Sequence, residues 1–295
     1  MTSSVPPGHV GNLSADQEAK LRELWHSIFK LYNILKDWDN KKTEAPVPTP
    51  KAEPPKKSRW FGSRTQAEAP QTASALPEEA LKLINSGEAD NSGLVKEFEE
   101  AIASRPESIR AMLVATLKHE HPDALVLRFL RARKWDVQRA LVMMFTSLHW
   151  RHNISRVDTD ILAHGEEFLA QDEESGDEKS KTLARDFMKQ IREGKSFIHG
   201  TDRENRPISY VRARLHRAAD QSVESVERYT TYIIETARLT PTFPVETATL
   251  IFDLSNFTLA NMDYAPVKFI IKCFEANYPE SLGAILIHNS PWVFK

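Results

Sequence analysis

The chain has 295 residues, with 39 Lys and Arg against 41 Asp and Glu, and a pI near 6.6. That balance argues against a nucleic-acid binder, which carries a strong basic excess. The one cysteine, Cys273, excludes an intrachain disulfide and a Cys-rich metal site and fits a reducing compartment.

Hydrophobic residues make up 41% of the chain, enough for a core, while the mean hydropathy of -0.45 implies that part of it stays unfolded. The opening Met1-Thr-Ser-Ser-Val-Pro-Pro-Gly-His9 has neither a basic n-region nor an apolar h-region, so no secretory leader is expected. No apolar run approaches the roughly 18 residues that a bilayer span needs. The expectation is a cytoplasmic protein whose membrane contact is transient and peripheral.

Residues 14–39 read as an amphipathic helix. Ser14 and Gln17 form a capping-box pattern, and Leu21, Leu24, Trp25, Ile28, Leu31, Tyr32, Leu35 and Trp38 recur at helical spacing. Such a stripe either packs on its own domain or serves a protein partner or a membrane surface. Residues 40–77 read as a disordered linker: Pro46, Pro48, Pro50, Pro54 and Pro55 stand among Lys, Glu, Ala and Thr, too polar to offset ordering entropy. Within it, Lys56-Lys-Ser-Arg-Trp-Phe61 is either a contact for anionic lipid or a solvated stretch of linker.

From about residue 78 the pattern is helical. Leu81, Leu83 and Ile84 lead in, Leu94, Phe98 and Ile102 share a face, Pro106 restarts a helix through Ile109, Leu113 and Leu117, and Leu141 to Trp150 is strongly apolar. His119-Glu-His121 offers a metal reading, but histidines at i and i+2 do not share a helix face and Pro122 follows at once, which favours a connection between helices. Between Asp123 and Asp136 a cationic edge (Arg128, Arg131, Arg133, Lys134) alternates with an apolar one (Leu125, Leu127, Phe129, Leu130, Trp135). One edge suits a core and the other an anion.

Residues 165–181 are rich in acids and read as a disordered insertion. Beyond them strands and helices alternate. Residues 207–215 form a strand, and Ser222 caps a helix with Val226, Tyr229, Ile233, Ile234 and Ala237 inward. Residues 247–254 form a strand buried on both faces, Pro266 opens a helix, and residues 283–287 form another buried strand. This order implies a parallel sheet with right-handed crossovers.

Catalytic signatures are missing: no Gly-x-Ser-x-Gly elbow, no phosphate-cradling Gly-rich loop and no His-Glu-x-x-His. Cys273 reads as a small core hydrophobe, and Asp253 as a structural hydrogen-bond acceptor or a helix-entry cap. No catalytic residue, metal or cofactor is expected.

Four segments in order, Leu127-Arg-Phe-Leu-Arg-Ala-Arg-Lys-Trp-Asp136, Asp202-Arg-Glu-Asn-Arg-Pro207, Val245-Glu-Thr247 leading to Asp253-Leu254, and Tyr278-Pro-Glu280, resemble the CRAL-TRIO family of lipid-transfer proteins. The likeness is strongest to its fungal phosphatidylinositol-transfer branch and covers roughly residues 94–295. It implies an α/β fold: an all-helical leader, then a mixed, largely parallel sheet flanked by helices. It divides the chain into a tail and helix at 1–39, a linker at 40–77, a helical module at 78–157 and a lipid-binding domain at 158–295.

The resemblance assigns a phosphoinositide headgroup to Arg133, Lys134 and Glu280, with phospholipid, of phosphatidylinositol type, as the ligand. Two cations suit a phosphodiester, and an acceptor-only carboxylate suits inositol hydroxyls. The other reading of these residues is a salt bridge joining the helical leader to the sheet domain. Phosphatidylcholine carriers of the family use two tyrosines and two hydroxyl residues around choline. Here Ile198 and Ser209, and Ala248 and Leu250, occupy those pocket positions, so phosphatidylcholine is not expected as a second ligand. The family continues beyond the point matching Lys295 with a gating helix and a further headgroup lysine, so a C-terminally truncated chain that binds lipid poorly is expected. The function implied is lipid binding and transfer between membranes. A membrane-associated scaffold that senses lipid is the alternative, and a hydrolase a more distant one.

Overall fold

The computed structural model describes residues 5–44, 76–84, 92–103 and 109–291. Most of the expected linker, its Lys56–Phe61 patch and the helix restart at Pro106 lie outside the described residues. Helix α1 (Ala15–Glu44) opens with the expected box: Gln17 N donates to Ser14 Oγ (3.2 Å) and Ser14 N to Gln17 Oε1 (3.0 Å). It continues through residues 40–44, which the sequence reading gave to the linker.

Five helices follow: α2 (Glu78–Leu81), α3 (Ser92–Ala103), α4 (Ile109–Leu117), α5 (Pro122–Ala132) and α6 (Val137–His149). Leu24, Ile28, Leu31 and Leu35 of α1 share one core with Phe98, Ile102, Met112, Leu127, Leu130, Leu141, Met144 and Phe145. The segment set apart as 1–39 therefore belongs to the helical module. Its stripe is spent inside the fold, the first of the two readings offered for it.

The acidic stretch 165–181 is not a disordered insertion. It lies in helices α7 (Leu162–Ser175), which bends at Gly165 (φ 57°), and α8 (Glu178–Arg192). Leu169 with Ala184, Phe187 and Met188 forms a second core, closed by Tyr229. The acids occupy the solvent side: Asp177 caps α8 by accepting from Ser180 N (2.8 Å), and Glu173 pairs with Arg192 (2.6 Å). Counting acids hid the apolar residues between them, whose spacing is helical.

Among the described residues the sheet has four strands in the order β1 (Ser196–Thr201), β2 (Pro207–Arg212), β3 (Ala248–Asp253) and β4 (Leu282–His288). β1 is antiparallel to β2, while β2–β3 and β3–β4 are parallel. Helix α9 (Val223–Arg238) connects β2 to β3, and α10 (Tyr264–Lys272) connects β3 to β4. Asp202 ties the β1–β2 turn by accepting from Arg206 Nε (2.7 Å) and Thr249 Oγ1 (2.6 Å). Burial raises its pKa, but these donors outweigh it and hold the carboxyl at about 2.

β4 departs from the buried strand expected. Ile285, Leu286 and Ile287 are each more than half exposed, because no described element covers the outer side of this strand. A third core of Trp150, Val157, Cys273 and Tyr278 ties the sheet region to the end of α6. Burial pushes the Cys273 thiol up to about 12, in line with its expected packing role. Asp253 accepts from Ser255 N (2.9 Å), the structural bond expected of it.

Candidate functional site

Between the sheet and helices α9 and α10 lies a hollow of about 1090 Å³. Its floor includes Ser209, Val211, Leu250 and Phe252, and its walls Val226, Ile233, Ile234, Val267 and Ile270. β2 and β3 are aligned so that Ser209 faces Leu250 and Val211 faces Phe252, and the period-2 alternation turns these side chains to one side. Such a hollow exceeds the usual size of a small-molecule pocket. Helix α9 lines it at Val226, Tyr229, Ile233, Ala237 and Arg238. From Ser225 to Arg238 the helix rises about 20 Å, the scale of an extended acyl chain.

Charge gathers at the C-terminal end of α9. Arg238 pairs with Glu235 (3.0 Å) and Glu120 (3.3 Å), and Arg128 with Glu120 (3.3 Å) and Glu246 (4.0 Å). Arg131 donates to Glu246 (2.8 Å) and to Gly8 O (3.0 Å). Arg151 donates to Glu235 (2.6 Å) and Asp158 (2.7 Å). Burial alone would raise the Glu235 pKa, but the Arg238 and Arg151 guanidiniums hold it well below the usual carboxylate range. Arg128, Glu120, Arg238 and Glu246 reach the wall of the hollow. Nε of Arg128 and Arg238 and Oε2 of Glu120 are buried without a hydrogen-bond partner.

At the other end of α9 the polar groups are different. Tyr229 Oη donates to Ser196 O and accepts from Ser196 N (both 2.8 Å), fixing the start of β1. Lys195 precedes it and is buried against the hollow with Gln190 and His216, beside the half-buried Asp263.

The residues assigned by resemblance fall as follows. Ser209, Ala248 and Leu250 line the hollow; Ile198 pairs with Ser209 across β1–β2 and shares its face without lining the hollow. Arg133 ends α5 and Lys134 follows it in a left-handed conformation (φ 51°). Neither has an ion-pair partner among the described residues. Glu280 is exposed, also left-handed (φ 56°), and its nearest cation is Arg131 at 3.9 Å rather than Arg133. The bridge between leader and sheet domain thus exists, but Arg131 makes it.

Sequence reasoning placed Arg128 and Arg131 on a cationic edge without their partners, and it missed Glu120 and the Lys195 group. Arg131 and Glu246 were inside quoted motifs; their partnership across 115 positions had no local signal.

A helical leader joined to a mostly parallel sheet, with a long apolar hollow whose charges sit near the two ends of one helix, defines the lipid-binding class. The chain belongs to the CRAL/TRIO family: the family model of the CRAL/TRIO domain matches residues 191–295, and that of the CRAL/TRIO N-terminal domain residues 94–144. It is 38% identical to a CRAL-TRIO domain-containing protein of Schizosaccharomyces pombe, over 98% of this chain and 62% of that protein. It is also 38% identical to the phosphatidylinositol transfer protein CSR1 of Eremothecium gossypii, over 100% of this chain and 68% of that protein. The chain thus spans about two thirds of the length of these relatives. A solved structure of Sfh5 aligns at a TM-score of 0.44 with 16% identity, over 70% of this chain and 74% of that one.

Proposed function

We propose that the chain binds a phospholipid of the phosphatidylinositol type, encloses its acyl chains and carries it between membranes, with no reaction of its own. The lipid is the ligand and no further cofactor is assigned. The hollow of about 1090 Å³ carries this reading, because it offers apolar surface on the scale of lipid tails. Arg133 and Lys134 at the end of α5 supply two cations without ion-pair partners among the described residues, suited to a phosphodiester. Glu280, whose side chain is 45% exposed, offers acceptors to inositol hydroxyls. The relative named a phosphatidylinositol transfer protein supports the same headgroup. Contact with the membrane is peripheral in this reading: no helix among the described residues is long and apolar enough to cross one.

The test is transfer of labelled phosphatidylinositol between vesicles. Replacing both Arg133 and Lys134 by Ala is expected to lower transfer at least tenfold, since charge-assisted hydrogen bonds contribute about 1.5–3 kcal/mol each. Phosphatidylcholine is expected not to be captured, because Ile198, Ser209, Ala248 and Leu250 offer choline no aromatic face. Failure to capture phosphatidylinositol sinks the proposal; capture without transfer assigns the chain to lipid sensing instead.

A further inference from the structure

We propose that the end of the hollow beside the first turn of α9 holds the anionic head of a second kind of ligand, a lipid ending in a carboxylate or a phosphate, with the Lys195 ammonium as its counter-ion. The inference rests on the lipid-binding reading and adds a ligand class to it. Lys195 is 6% exposed and lines the hollow. Its three protons have three acceptors: Gln190 Oε1 (3.0 Å), Gln221 Oε1 (2.7 Å) and His216 Nδ1 (2.9 Å). All three are neutral, so the geometry is satisfied and the charge is not. No carboxylate among the described residues lies within ion-pair distance of this ammonium.

The surrounding charges leave room for an anion. Glu193 lies two positions back and acts only through space. Asp263 stands behind the imidazole, with its Oδ2 3.0 Å from His216 Nε2. Its other oxygen accepts from Ala265 N (3.0 Å) at the start of α10, so part of its charge is already met by the helix end. Burying a cation without a contacting anion is costly, and here burial lowers the Lys195 pKa to about 8. A neutral head leaves that cost standing, whereas a carboxylate or phosphate removes it. The site is separate from Arg133, Lys134 and Glu280, because Gln190 bonds to Ser225 at the first turn of α9 while the Arg131 cluster gathers about its last.

The experiment titrates the full chain with oleate, phosphatidic acid and neutral monoolein by native mass spectrometry. At least one anionic lipid is expected to bind tenfold or more tightly than monoolein; oleate in that role marks a carboxylate, phosphatidic acid a phosphate. Lys195→Met is expected to abolish the preference and Lys195→Arg to retain most of it. Equal affinity for all three lipids, or a preference that survives Lys195→Met, overturns the proposal. Should Lys195→Met not fold, carboxyl-labelled oleate on the unaltered chain decides by carbon NMR. A bound carboxyl that stays ionised well below its bulk titration supports the ion pair, and one that titrates as in bulk overturns it. A chain that captures phosphatidylinositol without any anion preference loses only this anchor; a chain that captures no lipid loses the lipid-binding reading itself.

Discussion

Arg131 and Arg133 stand two positions apart and meet different surroundings. The alternation of cations and apolar residues between Asp123 and Asp136 is legible in the sequence; of the edge read as waiting for an anion, Arg128 and Arg131 are engaged by carboxylates of the protein itself. Which arginine is free is not legible, because Glu246, Glu280 and Gly8 come from distant segments. The difference is testable. Arg131→Ala removes the 2.8 Å partner of Glu246 and leaves it Arg128 at 4.0 Å and His9 at 3.7 Å, so it is expected to cost about 1.5–3 kcal/mol in urea denaturation. Arg133→Ala removes no described ion pair and is expected to stay within about 0.5 kcal/mol of the parent. Equal losses in the two variants would mean that the division between structural and free cation is wrong.

At the scale of elements, periodicity carried the reading where one face is apolar, and composition misled where charge dominates. Helix α1 was read from its stripe, and what the stripe packs against was left open; the answer lies in α5 and α6, beyond the reach of local pattern. The acidic stretch failed in the opposite way, since Leu169 and Phe187 outweigh the acids around them once α7 and α8 pack on Tyr229. Strand β1 was not read at all: Phe197 and Ile198 are too short an apolar run, and only pairing with Ser209 and Tyr210 makes the strand. The role of α1 gives a measurable consequence. Leu31 is fully buried in the shared core, so Leu31→Ala is expected to destabilise the protein by about 2–5 kcal/mol. A loss below about 0.5 kcal/mol in equilibrium unfolding would show α1 to be a detachable arm after all.

Across the whole molecule, the leader and the sheet region are joined by a seam of buried ion pairs and aromatic contact rather than by a shared strand. Arg151 links Asp158 to Glu235, Arg238 carries the chain of charges on to Glu120, and Trp150 meets the Tyr278 ring edge-on with centroids 5.6 Å apart. Ser147 Oγ adds a bond to Asn277 O (2.9 Å). Breaking such a seam from one side leaves uncompensated charge on the other, so both bodies are expected to unfold together. Glu235→Gln tests this, because it leaves Arg151 and Arg238 facing a neutral amide; the expected cost is about 3–5 kcal/mol. The pH dependence has a fixed sign. The folded Glu235 is held well below its unfolded value near 4.3, so its contribution is complete above that value, begins to fall there and is fully lost only once pH passes the folded value. The parent is therefore expected to lose stability between about pH 5 and pH 3, and Glu235→Gln to lose less over the same interval. Hydrogen exchange read separately in α6 and β3 should show one common opening energy that falls in both when Glu235 is replaced. If β3 loosens while α6 keeps its protection, the ion pairs decorate the junction without coupling its two sides.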